Sequence, residues 1–301
     1  MSILVVGSVA YDTVETPFGK ADDALGGAAV FFSAAASFFK PVNLVGVVGE
    51  DFKMKHLDFL KARGVDLTGL EVKPGKTFRW GGKYHEDLNS RDTNFTHLNV
   101  FEDFYPNIPD SYKNSDYIFL ANIGPELQME VLKQVNSPKL VALDTMNFWI
   151  EGSLAPLKET LKKVDILIVN DAETKQLANE VNLVKAAKSI LTMGPEILII
   201  KKGEHGALLV TKDAFFAAPA FPLETIFDPT GAGDTFAGGF VGYLAKCKDL
   251  NLENLKRAVI YGSTLASFCV EKFSMDRLKE LTQDEINARY DEFWKMTNFT
   301  R

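Results

Sequence analysis

The chain has 301 residues, 46% hydrophobic and 24% charged, enough length and apolar content for a full core, so wholesale disorder and a disulfide-stapled mini-protein are excluded. Lysine plus arginine number 33 against 40 aspartates plus glutamates, a formal charge of −7. No segment gathers the basic face that a nucleic-acid binder needs, whereas a small anionic substrate is compatible with a positive pocket on an acidic surface.

Residues 3–6, Ile-Leu-Val-Val, form a short β-branched run closed by Gly7, and residues 43–48 repeat that style before Gly49-Glu50-Asp51; both are expected as buried strands. No basic flank precedes the first run, so it does not read as a signal peptide, and a cytoplasmic location is expected. Residues 28–39 are alanine-rich without alternation, which favours a helix packed closely on a sheet. The 16 uncharged residues 24–39 include two glycines and two serines and fall short of the roughly 20 needed to cross a bilayer, so no membrane segment is expected. A second helix is expected over 52–62 and an edge or surface segment over 65–72.

From 77 to 98 the pattern changes. Phe78, Trp80 and Tyr84 alternate with other residues, a polar turn follows near Asn89-Ser90-Arg91, and residues 94–98 return as the second arm of an antiparallel ribbon standing off the main body. The strand–helix rhythm resumes with strands at 117–121, 140–143, 166–169 and 197–200, and helices at 126–135, 155–162, 172–178 and 184–191. Residues 207–210 and 214–217 read as a hairpin, and long helices are expected over 235–246 and 252–268. Without repeats or a long linker, residues 1–301 are expected to form one α/β domain with a small β lid inserted at 77–98. Cys247 and Cys269 lie in helical stretches, which suits a reducing compartment, and the four histidines lack metal-site spacing, so neither a disulfide nor a structural metal is expected.

The most informative segment is Asp228-Pro229-Thr230-Gly231-Ala232-Gly233-Asp234-Thr235. Small residues before a helix let free backbone N–H groups approach an anion, and the helix end adds favourable charge. An aspartate in the first turn stays near that anion, as a base for phosphoryl transfer to an alcohol must. On local physics alone the segment reads equally as an ordinary tight turn. A helix N-terminus also lowers a carboxylate's pKa and weakens it as a base, although a loose transition state makes the hydroxyl proton acidic late in the reaction.

The segment, unbroken from Asp228 to Asp234 and continued by Phe236, Gly238, Gly239 and Phe240, resembles the C-terminal signature D-T/P-x-G-A-G-D of the ribokinase-like family, also called the PfkB carbohydrate kinases. The resemblance runs from Ile3 to about Phe268. It implies a three-layer α/β/α fold with a mostly parallel central sheet and a small β lid. It also implies an ATP-dependent kinase with an alcohol acceptor, ATP and Mg2+ as cofactors, Asp234 as the catalytic base and the backbone of Gly231, Ala232 and Gly233 as the anion hole. Asp12 matches the family's aspartate that accepts hydrogen bonds from substrate hydroxyls, and Gly26-Gly27 its diglycine, where backbone approaches the substrate. Asn170 and Glu173 resemble the N-x-x-E element that positions magnesium and phosphate, at a spacing that is also a capping box. Asp144 and Asn147 resemble a strand-end element near phosphate and substrate, with Trp149 beside it as packing. Lys201, Gly203 and Gly206 match the nucleotide-site turn, where Lys201 reads either as an ATP contact or as solvated surface. The adenine pocket is expected within 255–268.

Phe31 stands where many ribose-binding members carry asparagine, which tells against a plain ribokinase but leaves the phosphoryl machinery intact. The acceptor is expected to be a sugar. A nucleoside is the alternative, because Phe78, Trp80 and Tyr84 offer more apolar surface than a small sugar needs, and the same aromatics make the ribbon a candidate homodimer surface. Arg79 and Arg91 are candidates for a phosphate already carried by the acceptor. The rival of another class is a non-catalytic sugar or nucleotide sensor, against which the intact Asp234 argues. A dinucleotide oxidoreductase lacks its G-x-G-x-x-G turn here, and Gly75-Lys76-Thr77 is not a P-loop, since Leu70 stands where the first glycine is required.

Overall fold

The apolar runs of the sequence become strands whose alternate side chains enter two separate cores. A computed structural model describes residues 2–298; positions 1 and 299–301 of the range expected as one domain lie outside the described residues. The chain begins β1 (Ile3–Val6), β2 (Ala10–Thr16), β3 (Gly19–Gly26), α1 (Ala28–Ala36), β4 (Val42–Gly49), α2 (Asp58–Ala62), β5 (Val65–Lys73), β6 (Phe78–Tyr84) and β7 (Arg91–His97). It continues β8 (Tyr117–Leu120), α3 (Pro125–Gln134), β9 (Leu140–Asp144), α4 (Asn147–Gly152), α5 (Leu154–Leu161), β10 (Ile166–Asn170), α6 (Asp171–Ala178), α7 (Leu183–Leu191) and β11 (Ile197–Lys201). It ends β12 (Ala207–Thr211), β13 (Phe215–Ala218), α8 (Ala232–Cys247), α9 (Leu252–Cys269), α10 (Asp276–Glu280) and α11 (Gln283–Thr297).

The larger sheet has nine strands in the order β13-β12-β11-β10-β9-β8-β1-β4-β5, parallel from β11 to β5 and antiparallel at β12 and β13. On one face Ile3, Val5, Phe119, Ala142, Ile168 and Ile199 join Phe32 of α1, Phe240 of α8 and Val259 of α9. On the other, Leu4, Val6, Ile118, Leu143, Leu167 and Leu198 join Val131 of α3, Leu157 of α5 and Ile190 of α7. The period-two alternation of a strand that is apolar on both sides thus builds the three layers. Phe32 stacks on Phe119 at 4.2 Å, fixing α1 on β8.

The second sheet, in the order β3-β2-β6-β7, forms the lid. The ribbon expected at 77–98 is only half of it: β2 pairs parallel with β6 and antiparallel with β3. Residues 52–62 also differ from expectation, since a 3-10 turn at Met54–Leu57 precedes the short α2, and α1 stops at Ala36. Beyond the expected elements, α11 starts on a capping box between Thr282 and Glu285 and buries Ile286 and Phe293. Cys247 and Cys269 are free thiols. Among the described residues no helix is long and apolar enough to cross a membrane.

Candidate active site

Three neighbouring parallel strands end in polar residues: β9 in Asp144, β10 in Asn170 and β11 in Lys201. The carboxyl end of a parallel sheet is where ligands bind in open α/β folds. Register aligns Asn170 with Lys201 and sets Asp144 beside Ile168. Asp144 is buried, and its Oδ1 lies 3.5 Å from Lys201 Nζ. That ion pair is too long for a strong hydrogen bond, and Asp144 Oδ1 has no hydrogen-bond partner among the described residues.

The glycine-rich segment delivers the start of α8 to this point. The helix begins at Ala232, earlier than expected, so Asp234 is its third residue. Gly231 precedes it in the left-handed region at φ 75°, and a Cβ there would meet the Phe31 ring at 2.4 Å. Phe31 is therefore buried packing beneath the turn. A Cβ on Gly233 would lie 2.9 Å from Lys201 Nζ, so the lysine faces the open backbone of the helix start. Lys201 is thus drawn into the site, contrary to its reading as solvated surface. The Gly231 and Gly233 N–H groups meet no acceptor among the described residues, whereas the Ala232 N–H donates to Pro229 O at 3.2 Å. Ala232 is the one expected anion-hole donor already engaged.

Burial pushes the Asp234 carboxyl up to about 7, with Asp144 adding to the rise and Lys201 opposing it. The drop expected from the helix end does not occur, because desolvation and a like charge outweigh a partial dipole. Burial likewise lifts Glu173 to about 7, with Lys201 opposing. For Lys201, burial disfavours the charge, but Asp144, Glu173 and Asp234 together outweigh it and the pKa is raised. The lysine stays charged among carboxyls that share its field.

Asn170 and Glu173 form the full capping box of α6: Asn170 Oδ1 accepts from the Glu173 N–H at 2.8 Å, and Glu173 Oε2 accepts from the Asn170 N–H at 2.8 Å. The capping reading of this element therefore holds, and the cap fixes where the Glu173 carboxyl sits. Asn147 is exposed at the start of α4. Trp149 is held by packing and a hydrogen bond, its Nε1 donating to Asn122 Oδ1 at 2.8 Å.

On the lid side, Asp12 of β2 is buried, and a Cβ on Gly26 would meet its Oδ2 at 1.9 Å. The bare backbone of Gly26-Gly27 therefore surrounds this carboxylate, and the Gly27 N–H donates to it. Burial, then Asp228 and Asp234, lift Asp12 to about 7, which places it within the field of the helix start. Asp228 itself accepts from the backbone N–H groups of Thr230 and Ser274, each at 2.9 Å, and so anchors the turn.

The lid rests on this site. Thr230 Oγ1 lies 3.3 Å from Tyr84 Oη, and the lid tip brings Asn89 Oδ1 within 2.5 Å of where a Cβ on Gly203 would stand. Gly203 and Gly206 form the turn after β11 at φ 54° and 81°. The lid aromatics are engaged within the chain: Phe78 stacks on Phe101 at 5.3 Å, Trp80 lies along Gly82, and Tyr84 reaches Thr230. Arg79 is not available for a substrate phosphate, since it pairs with Asp23 and Asp51 and lies over Tyr11. The Tyr84–Thr230 contact escaped sequence reading, although both residues stood in segments that it singled out.

Among the described residues no group of three histidine, cysteine or acidic side chains could hold a metal ion alone. The site does fit magnesium carried by a nucleotide, because that ion typically takes one or two carboxylates plus phosphate oxygens and water. Buried Asp144 and half-buried Glu173 beside an open cradle supply that donor set.

A family model described as pfkB family carbohydrate kinase matches residues 2–280. A cytidine kinase of Thermococcus kodakarensis is 32% identical over 274 residues, covering 86% of this chain and 96% of that protein. Among solved structures, the nucleoside kinase of Methanocaldococcus jannaschii superposes with a TM-score of 0.77 at 22% identity, covering 97% of this chain and 98% of that one. A putative ribokinase II of E. coli, solved with ATP and magnesium, also gives 0.77, at 18% identity over 97% and 99% of the two chains. With the signature, the layered fold and the family match in agreement, the chain belongs to the pfkB carbohydrate kinases, ATP-dependent phosphotransferases acting on small sugar- or nucleoside-like substrates.

Proposed function

We propose that this chain is a nucleoside kinase that moves the γ-phosphoryl group of ATP to the primary hydroxyl of a ribonucleoside, working as one domain with the four-stranded sheet as its lid. The observation that carries the phosphotransfer is the meeting of Asp234, the Gly231 and Gly233 backbone and Lys201 at one half-buried point. The nucleoside is preferred to the sugar that leads the sequence reading, because the cytidine kinase resemblance spans nearly the full length of both proteins.

In this reading Asp12 orients the ribose by accepting from its hydroxyls, and Gly26-Gly27 leaves room for the ring against the backbone. Asp234 takes the proton of the attacking hydroxyl. With a pKa near 7 it is a better base than an aspartate at an exposed helix end, and it still needs only a late proton transfer if the transition state is loose. The Gly231 and Gly233 N–H groups, joined by Ala232 once it exchanges its Pro229 bond, hold the oxygens of the migrating group. Lys201 neutralises charge on those oxygens from the sheet side. Magnesium, when bound with the nucleotide, neutralises phosphate charge, and Asp144 and Glu173 are the carboxylates placed to hold it, with Asn170 fixing Glu173 and Asn147 at the rim. Gly203 and Gly206 give the nucleotide an open turn beneath the lid tip. The lid keeps water, a competing nucleophile, away from the phosphoryl group.

A coupled ADP-release screen with Mg-ATP against ribonucleosides, sugars and phosphosugars tests the reading. The highest kcat/KM is expected for a pyrimidine or purine ribonucleoside. A sugar or phosphosugar ranked well above every nucleoside would overturn the acceptor assignment, and tight ligand binding without turnover of any alcohol would favour a sensor.

A further inference from the structure

The strand ends divide the cleft. Lys201, Asn170 and Asp144 close β11, β10 and β9 on the proposed phosphate side, β8 comes next in the sheet, and β1 after it leads into the strand of Asp12. Asn122 follows β8, and the Ala121 N–H before it donates to Val6 O, at the end of β1, at 3.0 Å. In strand order this half-buried residue stands on the acceptor side, between the transfer point and the aspartate proposed to orient the ribose. Gln128 of α3 holds the stretch in place. It is buried, and its Nε2 donates to Ala121 O and to Asp144 O, each at 3.0 Å, which clamps the ends of β8 and β9 together.

The Asn122 amide has one orientation. Trp149 Nε1–H can only donate, and it meets Asn122 Oδ1 at 2.8 Å, so the carbonyl end faces the indole and the NH2 end faces away. Nδ2 then lies 3.0 Å from Met146 Sδ, a weak acceptor, and donates to nothing else among the described residues. One N–H of the amide is thus held by a thioether and the other is free. Phe148 meets Trp149 edge-on at 4.8 Å and leaves 61% of its surface exposed. An uncovered ring beside a free donor is a surface that a flat base covers and a small sugar does not.

We propose that Asn122 reads the nucleobase of the acceptor as a fixed hydrogen-bond donor. It selects cytosine and adenine, whose ring nitrogen on the pairing edge carries a lone pair, over uracil and hypoxanthine, which carry N–H there. A donor locked in place meets cytosine N3 or adenine N1 as an acceptor, but sets donor against donor at uracil N3 or hypoxanthine N1. Met146 gives up its weak hydrogen bond when the base arrives. Trp149 is a positioning residue that acts through the amide. The inference rests on the nucleoside reading and names the class of base within it.

The test measures kcat/KM for cytidine against uridine and for adenosine against inosine, in wild type, Trp149→Phe and Asn122→Asp. In each pair that is turned over, wild type should favour the amino base by at least ~10-fold. Trp149→Phe keeps a ring in place but frees the amide to turn, so each ratio should fall at least ~5-fold toward one. A role in packing alone would lower both members of a pair alike and leave the ratio where it was. Asn122→Asp puts an acceptor where the donor stood and should carry the cytidine-to-uridine ratio below one. Each ratio is taken within one preparation, so a partly unfolded variant still reports it. Wild-type ratios at or below one, or a ratio unchanged in either variant, would overturn the proposal. Failure of the nucleoside reading shows separately, as a protein that phosphorylates a sugar and no ribonucleoside.

Discussion

Gly233→Ala should make the protein more stable and the enzyme much worse. Gly233 is the second residue of α8 and its φ is not positive, so alanine suits the backbone. Replacing glycine by alanine inside a helix gains up to about 1 kcal/mol, or a rise of roughly 2–4 °C in Tm for a chain of this size class. The three atoms nearest a new Cβ belong to Lys201, with Nζ at 2.9 Å, Cε at 3.6 Å and Cδ at 3.7 Å. That is the free end of a flexible side chain, which yields a few tenths of an ångström at little cost. The methyl group then occupies the space between the helix start and the lysine, where the migrating phosphoryl group is proposed to sit. Losing one well-placed anion-hole donor costs ~10²–10³-fold in kcat, and a comparable loss is expected here. Differential scanning fluorimetry and the coupled ADP assay read the two effects on one preparation. Gly231→Ala provides the contrast: it forces alanine to φ 75° against the Phe31 ring at 2.4 Å, so stability and activity should fall together, stability by ~2–4 kcal/mol. Turnover of Gly233→Ala within threefold of wild type would refute the cradle as the seat of transfer.

Because the Asp234 carboxyl is pushed up to about 7 and must be ionised to act, kcat/KM should rise tenfold per pH unit below pH 6 and level off above about pH 7.5. A profile still flat down to pH 5 would remove Asp234 as the base. Asp12 has a folded pKa of about 7 against an ordinary 3.8, so the unfolded chain releases its proton first and stability falls as pH rises between about 4 and 7. Asp12→Asn should therefore be more stable than wild type by ~1–2 kcal/mol above pH 7, with the difference vanishing near pH 4, as followed by denaturant melts of the ligand-free protein.

The strands of the large sheet were legible because burial on both faces demands unbroken apolar runs, as in Ile3-Leu4-Val5-Val6 and Ile197-Leu198-Ile199-Ile200. β2 and β3 were not, because the lid is thin and half solvated. Asp12, Thr13 and Glu15 in one strand and Lys20, Asp22 and Asp23 in the next look like loop, and the cue was no more than the alternation of Val14 and Thr16 before the Pro17-Phe18-Gly19 turn, broken from Tyr11 by a bulge. The cap at Thr282 with Glu285 and the apolar spacing of Ile286, Tyr290 and Phe293 could have revealed α11. At the site, residue types were readable but electrostatics were not. Local sequence gives Asp234 a helix end that lowers its pKa, and only the tertiary arrangement supplies the burial and the Asp144 charge that raise it. Lys201 carried the same ambiguity, since its partners Asp144 and Glu173 arrive from neighbouring strand ends that one segment cannot show.

The most direct measurement is single-turnover phosphoryl transfer by rapid quench, comparing wild type with Asp234→Asn at saturating Mg-ATP and the best nucleoside, with binding of both ligands measured in parallel. The neutral isostere should bind both ligands within a few-fold of wild type while transfer slows by at least ~10²-fold and loses its dependence on pH between 5 and 8. Transfer at a near wild-type rate, with the same pH profile, would contradict proton removal by this carboxylate.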